Sequence, residues 1–433
     1  MDNNTRKMLG LTDENITFPE NWLEDAKIKG VTAQLIIGSL TYNPTHCEKC
    51  GRKNQGELVK NGTKTTRTQM ALFRNTLTYL ELKRSRFLCR NCGQTFMAQT
   101  PIVARHDHLA KELKYQILLE LAQVSSRKSI AQRYFVSDIT VLRIQEELAK
   151  TYHKSYQTIP QVLCVDEFKS MKSCEGAMSF ICVDGTNNRL FEVLEDRRLD
   201  KLVQYFMRFP RKARLGVRYL VMDMNASYQQ LIKMIFPNAQ IVTDRFHIVQ
   251  QITRSLNQLR IKKMNAFNTS NPEDKKKYRR LKRYWKLILK DSDSLDNRQP
   301  AYHSMFKRHL YAQDIIDELL SYDSQLKLAY EAVQLLHYYR KKKDTDGFFS
   351  TIQTLNKALP KWFRKKLYFL KKYKQGIQNA FELRYSNGVT EGLNNKIKLI
   401  KRVSYGYRNF YHLRDRIYII QDLIFSPTED LYE

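Results

Sequence analysis

The spacing of apolar positions changes along this chain, and each change marks an element class. Leu72 to Leu88 (LFRNTLTYLELKRSRFL) is rich in β-formers and partly alternating, which predicts strand. From His108 the period becomes helical. LAKELKYQILLELAQV reads as an amphipathic helix ending before Ser125-Ser126, and two shorter helices follow. The first covers Ser126 to Tyr134; the second covers Asp138 to Ala149, with Ser137 as its N-cap. After Gln157 short apolar runs take over: QVLCV into Asp166, MSFICV into Asp184, then LFEVL. A helix from about Asp200 to Arg208 precedes YLVM ending at Asp223, and another precedes QIVT ending at Asp244. Three strands able to form a meander, then alternating helix and strand, is the order of a ribonuclease H-like core. From Val249 to Leu383 the pattern is helical and basic with no convincing strand, and it reads as an all-helical insertion.

These shifts predict a multidomain α+β chain of 433 residues: 1–100 an N-terminal ribbon domain, 105–150 a helix-turn-helix, 158–248 the first part of an α/β core, 249–385 the insertion, and 386–425 the core's last part. Only 15 Gly and 10 Pro agree with a helix-rich fold with few long loops. Met1 to Pro19 lacks the apolar run of a signal peptide, and no later stretch has the apolar length of a transmembrane helix, so a cytoplasmic protein without membrane contact is expected.

The formal charge of +30 makes a polyanion the first partner to consider. KKKYRRLKRYWK (275–286) and RKKK (340–343) combine cations with nearby aromatics, which suits phosphates and occasional base stacking. Each is equally compatible with a charged, solvated helix face.

Cys47 and Cys50 (CEKC) and Cys89 and Cys92 (CRNC) give the paired knuckles of a Cys₄ zinc ribbon, expected to hold one structural Zn²⁺; disulfides are the rival. Arg74, Lys83, Arg84 and Arg86 are expected on its outer face. Cys164, Cys174 and Cys182 read as ordinary thiols. In the helix-turn-helix, Arg127 and Lys128 open the first short helix. Thr140, Arg143 and Gln145 are expected to face a DNA groove, while Ile139, Leu142 and Ile144 make apolar contacts. A three-helix bundle without DNA contact is the alternative.

Phosphodiester chemistry with two metal ions needs carboxylates on separate elements converging at one sheet edge, and Asp166 and Asp223, each following an apolar strand, meet that need. Glu391 stands near the start of a helix in SNGVTEGLNNKIKLIKR, which then carries Lys396, Lys398, Lys401 and Arg402. Taken singly, these acids also suit turns, caps or a favourable helix-dipole position.

Together with VDEF (165–168), VMDM (221–224), TDRFH (243–247) and SNGVTEGLNNKIKLIKRVSYGYRNF (386–410), the ribbon and helix-turn-helix resemble the ISL-three family of bacterial insertion-sequence transposases, of the DDE class. The resemblance covers nearly the whole chain. It implies that Asp166, Asp223 and Glu391 hold two Mg²⁺ (or Mn²⁺) ions, and that Asp244 and His247 match a DxxH signature, with His247 a further catalytic candidate. It implies a bacterial, nucleoid-associated transposase that binds terminal inverted repeats and target DNA and carries out strand cleavage and strand transfer. The working complex would be a homodimer or larger. Arg127, Lys128, Thr140, Arg143, Lys396, Lys398, Lys401 and Arg402 are the expected DNA contacts. A DNA-binding regulator without catalysis, or a ribonuclease H-like nuclease, is the alternative.

Overall fold

The computed structural model describes residues 1–28, 30–224, 229, 232 and 234–425. The chain forms two compact units, one from Met1–His153 together with the stretch from Ile397 onward, the other from Lys154–Lys396.

The first unit opens with helix α1 (Asn3–Met8) and a six-stranded sheet of β1 (Ile16–Thr17), β2 (Leu23–Ile28), β3 (Val31–Leu40), β4 (Leu58–Gln69), β5 (Leu77–Cys89) and β6 (Thr95–Met97). β5 is central: it runs parallel to β3 and antiparallel to β4 and β6. The expected strand from Leu72 begins five residues later because Arg74 and Asn75 take left-handed backbone angles and the Thr76 N–H bonds to Phe73 O at 2.9 Å, closing a turn. Ile16, Ile36, Leu40, Leu80, Leu82 and Phe87 bury one face. Arg84 departs from the expected outer face. Its Nε donates to Ala98 O at 2.7 Å, and burial lowers its pKa.

Helices α2 (Lys111–Leu121), α3 (Arg127–Arg133) and α4 (Asp138–Thr151) follow. Ser126 and Ser137 cap α3 and α4 by accepting the Ser129 and Thr140 N–H groups, each at 3.0 Å. Leu113, Ile117 and Leu121 fall on one helical face and pack with Ile130, Val141, Ile144, Ile419 and Phe425. Burying each large aliphatic here contributes roughly 1.5–3 kcal/mol. Two expectations for α4 change. Gln145 is buried and donates to His412 O at 2.9 Å, while Ile139 is exposed. The reason is helical phase: Val141, Ile144, Gln145 and Leu148 share the inward face, which turns Ile139 and Arg143 outward.

The helix Phe410–Ile420 belongs with these helices, so the division near residue 396 cuts through the stretch 386–425 that the sequence reading kept whole. Arg416, 1% exposed, anchors it by donating from Nη2 to Gln123 O (3.0 Å) and Ser125 O (2.9 Å), and burial draws its guanidinium down to about 10.

In the second unit, β7 (Val162–Lys169), β8 (Met178–Asp184), β9 (Leu190–Leu194), β10 (Tyr219–Met222) and β11 (Gln240–Thr243) form a sheet ordered β11-β10-β7-β8-β9. β7, β8 and β9 are an antiparallel meander; β10 and β11 run parallel to β7 and to each other. Helix α5 (Leu199–Phe206) covers one face, where Leu163, Val165, Phe180, Phe206, Leu220 and Met222 meet. Helix α6 (Arg211–Leu215) leads into β10. Alternation along β7 and β10 turns Cys164, Asp166 and Val221 to the opposite face.

From Arg245 to Glu382 the chain is mainly helical, but not wholly so: β12 (Ala301–His303) and β13 (Arg308–Leu310) form an antiparallel hairpin. Strands of three residues are too short to show a period, which is why the sequence pattern misses them. The basic runs sit mostly on solvated faces. Within the helix Pro272–Arg283 only Leu281 is buried, and Lys341 is matched by Asp291 at 2.7 Å and Asp293 at 2.8 Å.

Candidate active site

Strand register places three aspartates side by side. Val221 pairs with Cys164, so Asp223 and Asp166 each stand two residues beyond that pair on adjacent parallel strands. Met222 pairs with Thr243, so Asp244 is the next neighbour, its N–H donating to Met222 O at 2.8 Å. Asp166 does not end its strand as expected. β7 continues to Lys169 because its pairing with β8 persists after the ladder to β10 stops. Asp184 lies at the far end, pairing with Leu163, about 10 Å along β7 from Asp166.

Asp244 is buried; Asp166 and Asp223 are half-buried. Burial raises the pKa of all three. The charge of Asp223 adds to the rise at Asp166, those of Glu167 and Asp244 add to it at Asp223, and His247 offsets part of the rise at every one. The Asp223 Oδ1 is buried with no hydrogen-bond partner among the described residues. Asp244 caps the helix Arg245–Ala266, whose first turn carries His247, with Nε2 3.8 Å from Asp244 Oδ2.

The returning chain is held to this sheet by contacts that the sequence did not reveal. Gly376, in the helix Lys374–Glu382, lets that helix lie against β11; a Cβ there would stand 2.5 Å from Thr243 Oγ1. Asn379 Nδ2 donates to Ile241 O at 2.7 Å, and Arg245 Nε donates to Ala380 O at 2.6 Å. Asn387 Nδ2 then reaches Val165 O at 2.9 Å, docking the turn that begins the helix Gly388–Val403. Glu391, in its first turn, is exposed, and its charge is felt at Asp244. One turn on, Asn394 Nδ2 donates to Asp166 Oδ2 at 2.7 Å. Asn394 is three residues from Glu391, and that spacing is the only sequence signal that could have found it.

The four cysteines form a tighter group. Their sulfurs lie within 4.8 Å of one another, and among the described residues no other set of three or more His, Cys, Asp or Glu side chains does so. Cys47–Cys92 and Cys50–Cys89 Sγ distances are 3.8 and 3.9 Å, the separation of about 3.8 Å that a tetrahedron with ~2.3 Å Zn–S bonds requires. Gly51 and Gly93 follow the two knuckles with φ of +72° and +69°, and their N–H groups return to Cys47 O and Cys89 O at 2.9 and 2.8 Å. Both turns need the left-handed region that glycine enters freely. The β4–β5 pair sets one knuckle against the other, with Leu58 opposite Cys89. The cluster could hold a zinc ion.

Of the expected DNA contacts, Lys128, Arg143, Lys398 and Arg402 are exposed, while Arg127, Thr140, Lys396 and Lys401 are half-buried. Thr140 Oγ1 is 2.9 Å from Ser137 Oγ, within the cap of α4. Among the described residues no helix is long and apolar enough to cross a membrane.

A transposase family model, of the DDE-type ISL-three transposases, matches residues 163–417. The chain is 23% identical over 372 residues to the "Transposase for insertion sequence element IS1001" of Bordetella parapertussis, covering 84% of this chain and 85% of that protein. A shorter match, 39% identical over 111 residues, is to an "ATP-dependent protease" of Lactococcus lactis subsp. lactis and spans 26% of this chain and 36% of that protein.

Proposed function

The chain belongs to the ISL-three family of transposases, and from that premise we propose that it cuts and joins DNA at a site made by Asp166, Asp223 and Glu391, with His247 beside it. The register that sets Asp166 against Asp223 carries this reading. The sheet order, with a three-strand meander extended by two parallel strands, supports a ribonuclease H-like core interrupted by the mainly helical insertion.

The residues fit a divalent cation. The donors are hard carboxylate oxygens, and the buried Asp223 Oδ1 lacks a partner that a cation would supply. Asp166 and Asp223 would hold the ions; the carboxylates of Asp166, Asp223 and Glu391 do not all lie within 4.8 Å of one another in the structure, so Glu391 would close on the aspartates to complete the set. Two such ions, when bound, clamp the attacking and leaving oxygens of an in-line phosphoryl transfer. Asn394 Nδ2 and the Glu167 N–H each hold one oxygen of Asp166, at 2.7 and 2.8 Å, which fixes the carboxylate in place where it would meet a cation. His247, on the first turn of its helix, offsets the negative charge of the aspartates and would be available to a scissile phosphate bound beside them.

Terminal-repeat recognition falls to the cysteine ribbon and the helices α2–α4, where Arg143 is exposed on α4 for base contact and Lys128 for phosphate. Lys396, Lys398, Lys401 and Arg402 add phosphate contacts, and joining two element ends requires at least two copies of the chain.

The test uses a plasmid bearing the inverted repeats that bracket the gene. With Mg²⁺, the wild-type protein should nick and join at the repeat ends, and Asp223→Asn should bind the same DNA without cutting it. Equal cutting by both proteins would refute the site. Binding without cutting by either would favour a regulator, and cutting without joined product would favour a nuclease.

A further inference from the structure

The helix Gly388–Val403 ends in a turn that holds a tyrosine in open solvent. Tyr405 is 98% exposed and has a φ of +53°, in the left-handed region where bulky side chains are rare. The turn is well tied: the Tyr405 N–H donates to Arg402 O at 3.1 Å, the Gly406 N–H to Lys401 O at 2.8 Å, and Ser404 Oγ to the Tyr407 hydroxyl at 3.2 Å. Such helix ends ordinarily place glycine at the left-handed position, since a side chain there adds strain. A ring that packs on nothing does not repay that strain through the fold.

Tyr405 borders a cavity of about 600 Å³ whose other lining residues include Arg127, Lys128, Gln132, Asp138 and Tyr407. That volume is in the range of small-ligand sites, ~300–1,000 Å³, and suits a single nucleotide rather than a duplex. Arg127 is half-buried, and its Nη1 is buried with no hydrogen-bond partner among the described residues, so one donor of the guanidinium is free to take an acceptor. An exposed aromatic face beside two cations is the chemistry of single-strand recognition, where bases stack on rings and phosphates meet Arg and Lys.

We propose that Tyr405 stacks on an unpaired base of the bound DNA while Arg127 and Lys128 hold the phosphates flanking it. This rests on the reading of the protein as a DNA transposase and adds to it a site for unpaired nucleotides at the helix-turn-helix. Asp138, the acidic member of the lining, limits how closely a phosphate approaches that side and so favours the Arg127 side.

The test compares full-length wild type, Tyr405→Gly and Tyr405→Trp on two short mixed-sequence duplexes, one blunt and one with a single-stranded overhang carrying 2-aminopurine at its first unpaired position. Wild type should prefer the overhang by about five-fold or more, the effect of one stacked base, and quench the probe. Tyr405→Gly relieves the backbone, so it should unfold at no lower temperature than wild type, bind the blunt duplex equally, and lose both the preference and the quenching. Tyr405→Trp should retain both. If Tyr405→Gly keeps the preference and quenching, or wild type shows neither while binding the blunt duplex, the stacking site is refuted and the DNA reading stands. If wild type binds neither duplex, both fall.

Discussion

Asn394 and Asp166, 228 residues apart in sequence, share a 2.7 Å hydrogen bond in which the amide donates to the carboxylate. It ties the helix that carries Glu391 to the strand that carries Asp166. Because Asn394 is buried and donates to the charged form of its partner, it both orients Asp166 and favours its ionisation against the pull of burial. Asn394→Ala should therefore lower DNA cleavage by roughly tenfold or more, in line with losses on removing a ligand's supporting hydrogen bond. It should also raise the Mg²⁺ concentration needed for half-maximal cutting, while binding to the repeat ends persists. A cleavage rate and metal requirement equal to wild type would remove Asn394 from the site.

The cysteine cluster makes a second prediction. A bound ion would supply folding energy to a ribbon whose two knuckles otherwise meet through thiols, short turns and the Arg52–Asn91 hydrogen bond. Purified protein should contain one zinc per chain, and Cys50→Ser should lower that occupancy and the thermal stability of the N-terminal region. Stoichiometric zinc retained in Cys50→Ser, or an ordered ribbon in metal-free protein, would contradict the assignment.

The strands are legible because each is a short apolar run closed by a polar residue: β8 to β11 start and stop within a residue of the pattern, whereas their order in the sheet follows from pairing between strands distant in sequence. The caps at Ser126 and Ser137 were legible for the same local reason. What the pattern could not carry was long-range. Nothing local distinguishes Asn394 or Asn387 from surface amides, and the bonds that define them reach strand β7. Residue polarity alone places Gln145 on the outer face, whereas burial follows phase and an amide can be buried when a carbonyl such as that of His412 receives it. The hairpin β12–β13 was hidden by its brevity.

His337 gives a prediction in pH. It is 3% exposed in the helix Ser324–Lys342, and its Nδ1 has no partner among the described residues. Burial lowers its pKa from the ordinary 6.5; Asp291 opposes the shift, while Arg340 and Lys341 add to it. With the folded value depressed, only the unfolded chain takes up this proton as pH falls below about 6.5, so stability is lost from there down to the folded pKa. Acidification from neutral pH to below 6 should lower the melting temperature of wild type by a few degrees more than that of His337→Phe, which keeps the ring's bulk without the titration. Parallel melting curves for the two proteins across that range would refute it.

Asp223 and Glu391 should each separate stability from activity, with different effects on stability. Burial raises the Asp223 pKa, so an ionised Asp223 costs the folded state free energy: its stabilising contribution is present below the unfolded pKa and is lost as pH rises through the folded one. At neutral pH, without divalent metal, Asp223→Asn removes that charge and should melt a few degrees higher than wild type. Glu391 is exposed, so Glu391→Gln should melt where wild type does. Both variants should lose cleavage and joining by a hundredfold or more, the scale of removing one group that stabilises charge in a transition state. Mg²⁺ should stabilise wild type more than either variant. The measurement is thermal melting with and without Mg²⁺ beside strand cleavage on the same preparations. A metal-free Asp223→Asn that melts below wild type would show its carboxylate to be structural, and a Glu391→Gln that cuts at the wild-type rate would leave the metal site to the aspartates of the sheet alone.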